Sequence, residues 1–152
     1  HYDKKHLFTF GGEHKRFTAG TERVVVNFRG VRILLEVCYD LRFPVWSRNL
    51  GDYDMILYVA SWPTPRVDAW SALLRARAIE NQCYVAGVNR MGTDPTCEYS
   101  GGSAIIDPYG KTIAECPWSR ESAVSADIDM EALQAFRKKF PVLDDADPFT
   151  LI

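Results

Sequence analysis

A cysteine ends an apolar run in the segment ILLEVCYDLRFP, residues 33–44, and polar residues follow it directly. A cysteine that served only as a core residue would lie inside the apolar run. Cys38 instead lies where a buried strand should end and a turn should begin. Ligands of open α/β sheets bind beyond the carboxyl ends of the strands, and an ionised thiol is a strong nucleophile. The position of Cys38 therefore suggests nucleophilic catalysis, with a small residue at a strand end as the plainer interpretation.

Two charged residues are candidate partners of this thiol. Glu36 precedes Cys38 by two positions, so strand alternation places both side chains on the same face. It could act as a base, although an edge-facing or solvated glutamate is the plainer interpretation. Lys4, in the segment YDKKHLF, is distant in sequence, and its positive charge would lower the pKa of a nearby thiol. Arg42 could bind a substrate carboxylate, although an ion pair with Asp40 or a neighbouring carboxylate is the plainer interpretation.

Two other kinds of cysteine enzyme do not fit the spacing. The phosphate loop of a cysteine phosphatase needs an arginine six positions after the nucleophile, and that position holds Pro44. A papain-like pair needs a histidine downstream of the cysteine. The three histidines, His1, His6 and His14, all precede Cys38. The thiol therefore needs a different set of partners.

Composition indicates a single globular domain over residues 1–152. Hydrophobic residues make up 47% of the chain and charged residues 25%, with a net charge of -2. The absence of a basic patch argues against a nucleic-acid partner. No apolar stretch reaches the roughly 20 residues of a membrane helix, and residues 1–8 do not resemble a signal peptide. We therefore expect a cytoplasmic protein without a membrane partner.

The cysteine pattern argues against a metal site and against disulfides. The four cysteines are widely spaced and form no C-x-x-C pair, and the histidines are confined to the first fourteen residues. An even number of cysteines permits disulfides, but reduced thiols fit a cytosolic chain with a large core. We expect free thiols and no bound metal.

The order of elements predicts an α/β fold with a mixed sheet. Residues 1–22 and 91–102 are predicted to be loops, and residues 142–152 an extended arm. Predicted strands cover residues 23–28, 31–38, 54–60, 83–89, 103–107, 111–116 and 122–129. Predicted helices cover residues 44–51, 66–82 and 130–140. Turn residues at 29–30 and 108–110 indicate two hairpins.

Four segments together resemble the nitrilase (carbon-nitrogen hydrolase) superfamily, and its omega-amidase branch in particular. They are HYDKKHLF, GEH, VCYDLRFP and RARAIENQCYVAGVNR, and the resemblance extends over nearly the whole chain. It implies an α-β-β-α sandwich and a catalytic set of glutamate, lysine and cysteine. It also implies at least a homodimer, and no metal or organic cofactor.

Position by position, the resemblance assigns the nucleophile to Cys38 and the lysine to Lys4 rather than to Lys5. Glu13 best matches a further glutamate that follows the lysine in many members. The implied reaction is hydrolysis of the terminal amide of a small dicarboxylic acid monoamide, such as 2-oxoglutaramate or 2-oxosuccinamate. Ammonia leaves and a thioester forms on Cys38.

Candidate substrate-binding residues surround the nucleophile in sequence or follow a strand end. The backbone N–H of Tyr39 would join Lys4 in stabilising the oxyanion, which typically contributes about 100- to 1000-fold in rate for one donor. Phe43 and Trp62 could line a substrate pocket, although such aromatics are more often part of the core.

The resemblance places a general-base glutamate upstream of the lysine, in a segment that this chain does not contain. We therefore expect the chain to be the C-terminal part of a longer protein. A non-catalytic binding or assembly protein, and a redox-sensing thiol protein, are the alternatives of a different class. A nitrilase or a carbamoylase would use the same three groups.

Overall fold

A six-stranded mixed sheet forms the centre of the computed structural model, which describes residues 1–150. In chain order the strands are β1 Val25–Phe28, β2 Val31–Val37, β3 Met55–Ala60, β4 Tyr84–Asn89, β5 Met91–Thr93, β6 Glu98–Ser100, β7 Ala104–Ile106 and β8 Thr112–Glu115. The sheet order is β1-β2-β3-β4-β7-β8, and β5 pairs with β6 in a separate two-stranded sheet. The α/β class predicted from the sequence is confirmed.

Three α-helices accompany the strands: α1 Pro44–Ser47, α2 Val67–Glu80 and α3 Met130–Lys139. Short 3-10 helices cover Thr9–Gly11, Glu13–Lys15, Cys38–Arg42, Thr64–Arg66 and Val142–Asp145. Both predicted hairpins form, since β1 pairs antiparallel with β2 and β7 with β8. At the first turn Arg29 and Gly30 have φ of 52° and 85°, as a two-residue hairpin turn requires.

The core lies between the sheet and α2. Strands β2, β3 and β4 run parallel, and every second side chain points to the helix, including Leu34, Ile56 and Val85. Helix α2 packs Trp70 and Leu74 against this face. Gly87 in β4 permits the close approach, because a Cβ at that position would lie 2.5 Å from Leu74 Cδ1. The parallel strands thus end at one edge, where β2 leads into Cys38.

Four segments differ from the sequence-based prediction. Residues 122–129 form no strand and are mostly exposed, because alternating residues make a strand only where a neighbour accepts their hydrogen bonds. The predicted loop 91–102 contains the β5–β6 hairpin. Helix α1 ends at Ser47 rather than at Gly51. The predicted arm contains the 3-10 helix Val142–Asp145, and its residues 151–152 lie outside the described part.

Two further expectations concern the cysteines and the membrane. All four cysteines are free thiols, as predicted. Within residues 1–150, no helix has both the length and the apolar character needed to cross a bilayer.

Candidate active site

Cys38 lies on a sharp turn between a strand and a helix. It follows β2 directly and begins the 3-10 helix Cys38–Arg42, with a φ of 49°. A non-glycine residue in this left-handed region carries strain of about 1–3 kcal/mol, and such outliers cluster at functional sites. A comparable strained turn between strand and helix presents the nucleophile of α/β-hydrolases. The Sγ atom lies 3.9 Å from the carbonyl oxygen of Ser61, just beyond the end of β3.

Lys4 and Glu13 form a close ion pair in the N-terminal loop. The Nζ of Lys4 donates to Oε2 of Glu13 at 2.7 Å, and the backbone N–H of Phe8 donates to the same oxygen at 2.8 Å. Burial raises the pKa of Glu13, but the two hydrogen bonds and the charge of Lys4 outweigh it, so the pKa lies below its ordinary value. Glu13 is therefore a carboxylate at neutral pH, and it fixes the position of the ammonium group.

One cavity of about 1060 Å³ brings the three predicted catalytic side chains together. Cys38, Lys4 and Glu13 all line it. A small adjoining space of about 40 Å³ is lined by Cys38 together with Tyr39 and Trp62. The arrangement puts a thiol, an ammonium and a carboxylate around one ligand-sized space.

The charge of Lys4 acts on the pKa of the Cys38 thiol in the expected direction, but the net shift of that pKa is upward. Burial raises the pKa of the thiol above its ordinary value, and the charges of Glu13 and Asp40 act in the same direction. The charge of Lys4 and a backbone hydrogen bond with Ser61 lower the pKa but do not outweigh burial. The charge of Lys4 alone therefore does not offset the burial of the thiol, and attack by the sulfur requires a group that takes the thiol proton.

The aromatic residues predicted to bind substrate pack against other rings or line only the small space. The Tyr39 ring contacts the rings of Phe8 and Phe43 edge-on, each at 5.0 Å between centroids. Phe43 lines neither of the two spaces described above, and it stacks on His6 at 3.8 Å. Trp62 is buried and lines only the small space. Contact of these three residues with a substrate stays a prediction.

Asp40 organises the site and was not identified from the sequence as a functional residue. Its buried carboxylate accepts hydrogen bonds from the backbone N–H of His6 at 2.8 Å and of Val37 at 3.1 Å. The hydroxyl of Tyr2 donates to it at 2.9 Å. The loop that carries Lys4 is thereby attached to the turn that carries Cys38. The sequence did offer one signal for this role. An aspartate in the first turn of a helix that follows a strand typically accepts hydrogen bonds from backbone N–H groups as a helix cap.

Two expectations about the neighbouring charges are wrong. Arg42 does not pair with Asp40, because its guanidinium lies over the Trp62 ring, 4.9 Å from the centroid. Glu36 is not solvated, since only 1% of it is exposed and Ser47 Oγ donates to its Oε2 at 3.1 Å. Burial, assisted by the charge of Asp40, raises the pKa of Glu36 to about 8. Glu36 does not line the cavity.

Comparison with known proteins identifies the class of this chain. The sequence profile described as carbon-nitrogen hydrolase matches residues 1–138. The chain therefore belongs to the carbon-nitrogen hydrolase family, and the nitrilase-type fold predicted from its motifs is confirmed.

The similar proteins with curated names include amidases. The chain is 56% identical over 151 residues to omega-amidase YafV of Escherichia coli strain K12, which covers 99% of this chain and 59% of that protein. It is 42% identical over 146 residues to 2-oxoglutaramate amidase of Bacillus subtilis strain 168, covering 95% and 56%. The chain is thus similar to omega-amidases, and it spans less than two thirds of the length of these relatives.

Solved structures show the same architecture. A carbon-nitrogen hydrolase superfamily protein from Xanthomonas campestris, which carries an arsenic adduct in its active site, superposes with a TM-score of 0.95 at 48% identity, over 99% of this chain and 60% of that one. A mutant amidase from Nesterenkonia sp. AN1 superposes with a TM-score of 0.69 at 28% identity, over 76% and 44%. That amidase shows covalent addition of the acetamide moiety of fluoroacetamide at its active-site cysteine.

Proposed function

We propose that the protein is an amidohydrolase that releases ammonia from the terminal amide of small dicarboxylic acid monoamides of the 2-oxoglutaramate or 2-oxosuccinamate type. The observation that carries the proposal is the shared cavity of Cys38, Lys4 and Glu13. The names of the similar proteins, omega-amidase and 2-oxoglutaramate amidase, support the substrate class.

The first half of the reaction forms a thioester. The sulfur of Cys38 attacks the amide carbonyl, and the carbonyl π electrons move onto oxygen. The Lys4 ammonium and the backbone N–H of Tyr39 stabilise that oxyanion. When the tetrahedral intermediate collapses, the carbon–nitrogen bond breaks and the nitrogen leaves as ammonia after taking up one proton.

A carboxylate must take the thiol proton and pass it to the departing nitrogen. Glu13 is a weak base for a thiol of raised pKa, because its own pKa is lowered by Lys4 and Phe8. Its role in the proposal is to hold Lys4 at the oxyanion. The proton transfer belongs to the glutamate that the family resemblance places upstream of Lys4. The same carboxylate then takes a proton from the water that hydrolyses the thioester and returns it to the sulfur.

The test is ammonia release from 2-oxoglutaramate by the full-length protein. Cys38→Ala should abolish turnover, because no other group in the proposal can form the acyl intermediate. Cys116→Ala is the matched control, since this buried thiol does not line the cavity, and it should keep the activity. Intact-mass spectrometry after acid quench should show an acylated wild-type chain and no acylated Cys38→Ala chain. Turnover by Cys38→Ala would overturn the proposal.

A further inference from the structure

Arg66 presents a second cation to the cavity that holds the thiol. We propose that its guanidinium binds the free carboxylate of the substrate, so that the site selects amides with an anionic far end. This inference rests on the proposed amidohydrolase function and adds to it the residue that recognises the acid.

The backbone of Arg66 is held firmly beside the cavity. Arg66 ends the 3-10 helix Thr64–Arg66, and its N–H donates to the carbonyl of Pro63 at 3.0 Å. The indole N–H of Trp62 donates to the Arg66 carbonyl at 2.7 Å, and Trp62 itself is buried. A fixed backbone limits the entropy lost when the side chain orders around a ligand.

The charge of Arg66 has no carboxylate partner among residues 1–150. The ion pairs of the described residues engage Arg23, Arg32, Arg77 and Arg137, and Lys4 pairs with Glu13. The guanidinium of Arg66 instead lies 5.8 Å from the centroid of the Phe8 ring, at the cavity wall. A half-buried guanidinium gains most from an anion that reaches it there, because both groups are partly shielded from water.

The positions of Cys38 and Arg66 indicate which chemical group a ligand would present to the guanidinium. Arg66 lines both the main cavity and the small space, and Cys38 also lines both. A ligand with its reacting amide at Cys38 and its other end at Arg66 therefore needs an anionic group at that other end. The planar fork of a guanidinium matches a carboxylate with two parallel hydrogen bonds.

Arg42 is the competing candidate, and its surroundings favour Arg66. Arg42 is exposed, lies over the Trp62 ring and lines only the small space of about 40 Å³. The main cavity of about 1060 Å³ has Arg66, and not Arg42, on its wall.

The experiment compares two amides of equal chain length in the full-length protein. Glutaramate carries the carboxylate, and pentanamide has a methyl group in its place. Arg66→Gln should lower kcat/KM for glutaramate by roughly 10- to 100-fold, as expected for loss of a charged hydrogen bond, and leave kcat/KM for pentanamide unchanged. Arg66→Lys should recover part of the loss, since it keeps the charge without the fork. Arg75→Gln, an exposed arginine on α2, is the control and should change neither value.

A binding measurement separates this inference from the proposed function. Calorimetry of glutaramate with the Cys38→Ala protein should show binding that Arg66→Gln weakens by the same roughly 10- to 100-fold. If no amide is hydrolysed but this Arg66-dependent binding persists, the proposed function fails and the carboxylate site stands. The assignment would be overturned if Arg66→Gln lowered kcat/KM equally for both amides, or if binding of glutaramate did not depend on Arg66. It would also be overturned if Arg42→Gln, instead of Arg66→Gln, abolished the preference for glutaramate over pentanamide.

Discussion

Asp40 and His6 are joined by two contacts of 2.8 Å to a single carboxylate oxygen. The backbone N–H of His6 donates to Oδ1 of Asp40, and the ring Nδ1 of His6 lies at the same distance from it. Thirty-four positions separate the two residues in sequence. Lys4 lies two residues before His6 and Cys38 two residues before Asp40, so this contact joins the loop that carries the ammonium to the turn that carries the thiol.

The Asp40 contact predicts a loss of catalysis together with a loss of stability. Asp40→Asn removes the charge that its donors share, and one amide nitrogen cannot accept a hydrogen bond. We expect the free energy of unfolding to fall by about 2–4 kcal/mol, as for a buried charged hydrogen-bond partner. We also expect kcat to fall more than KM changes, because a displaced Lys4 is felt mainly in the transition state. Urea unfolding and steady-state kinetics measure the two effects.

Asp144→Asn is the control for this change, since Asp144 is exposed and should tolerate the substitution in both measurements. A stable Asp40→Asn protein with unchanged kcat would show that the contact does not position the catalytic loop.

The two adjacent lysines should differ sharply in their effect on the rate. Lys4 lines the cavity and pairs with Glu13, whereas the Nζ of Lys5 lies over the Trp46 ring at 5.1 Å from the centroid. Lys4→Gln should therefore lower kcat by roughly 100- to 1000-fold, through loss of an oxyanion donor. Lys5→Gln should stay within a few-fold of the wild type, because Lys5 does not line the cavity and its cation–π contact is worth only about 0.5–2 kcal/mol. Equal effects of the two changes would contradict the assignment of Lys4.

The sequence predicted those features of the site that depend on local pattern. The apolar run before Cys38 and the turn after it suffice to place the thiol at a strand end, and the motif around Lys4 identifies the lysine. The β5–β6 hairpin was missed because its short strands carry Glu98 and Ser100 rather than alternating apolar residues. Its turn is stabilised by Asp94, whose Oδ1 accepts hydrogen bonds from the N–H groups of Thr96 and Cys97. These contacts are local, and they do not indicate in the sequence which strands pair.

The contacts of the buried carboxyl groups of Asp40 and Glu36 could not be predicted in the same way. The contact of Asp40 with the N-terminal loop depends on how the loop crosses the sheet edge. The burial of Glu36 depends on α1 and on Tyr58 of β3 closing over it, since Ser47 contacts both side chains. The net direction of the Cys38 pKa shift depends on the size of the burial effect relative to that of the nearby charges. Those sizes depend on the three-dimensional arrangement and not on the sequence pattern.

The opposing effects of burial and of nearby charges on the pKa of Cys38 predict how the rate of its alkylation depends on pH. Because burial raises the pKa of Cys38, its reaction with iodoacetamide should be slow at pH 7 and should increase to a midpoint above the ordinary thiol value of about 8.5. Lys4→Gln removes a charge that favours the thiolate, so the midpoint should move to higher pH. Glu13→Gln removes a charge that disfavours the thiolate and leaves Lys4 unneutralised, so the midpoint should move to lower pH. Rates of Cys38 labelling, followed by peptide mass spectrometry between pH 6 and 10, measure the curve of the wild type and those of the two variants. Cys116 serves as the internal reference, because its labelling should not respond to either substitution. A wild-type midpoint below the ordinary thiol value, or shifts of the same sign in the two variants, would show that the charges of Lys4 and Glu13 do not act on the sulfur as the geometry requires.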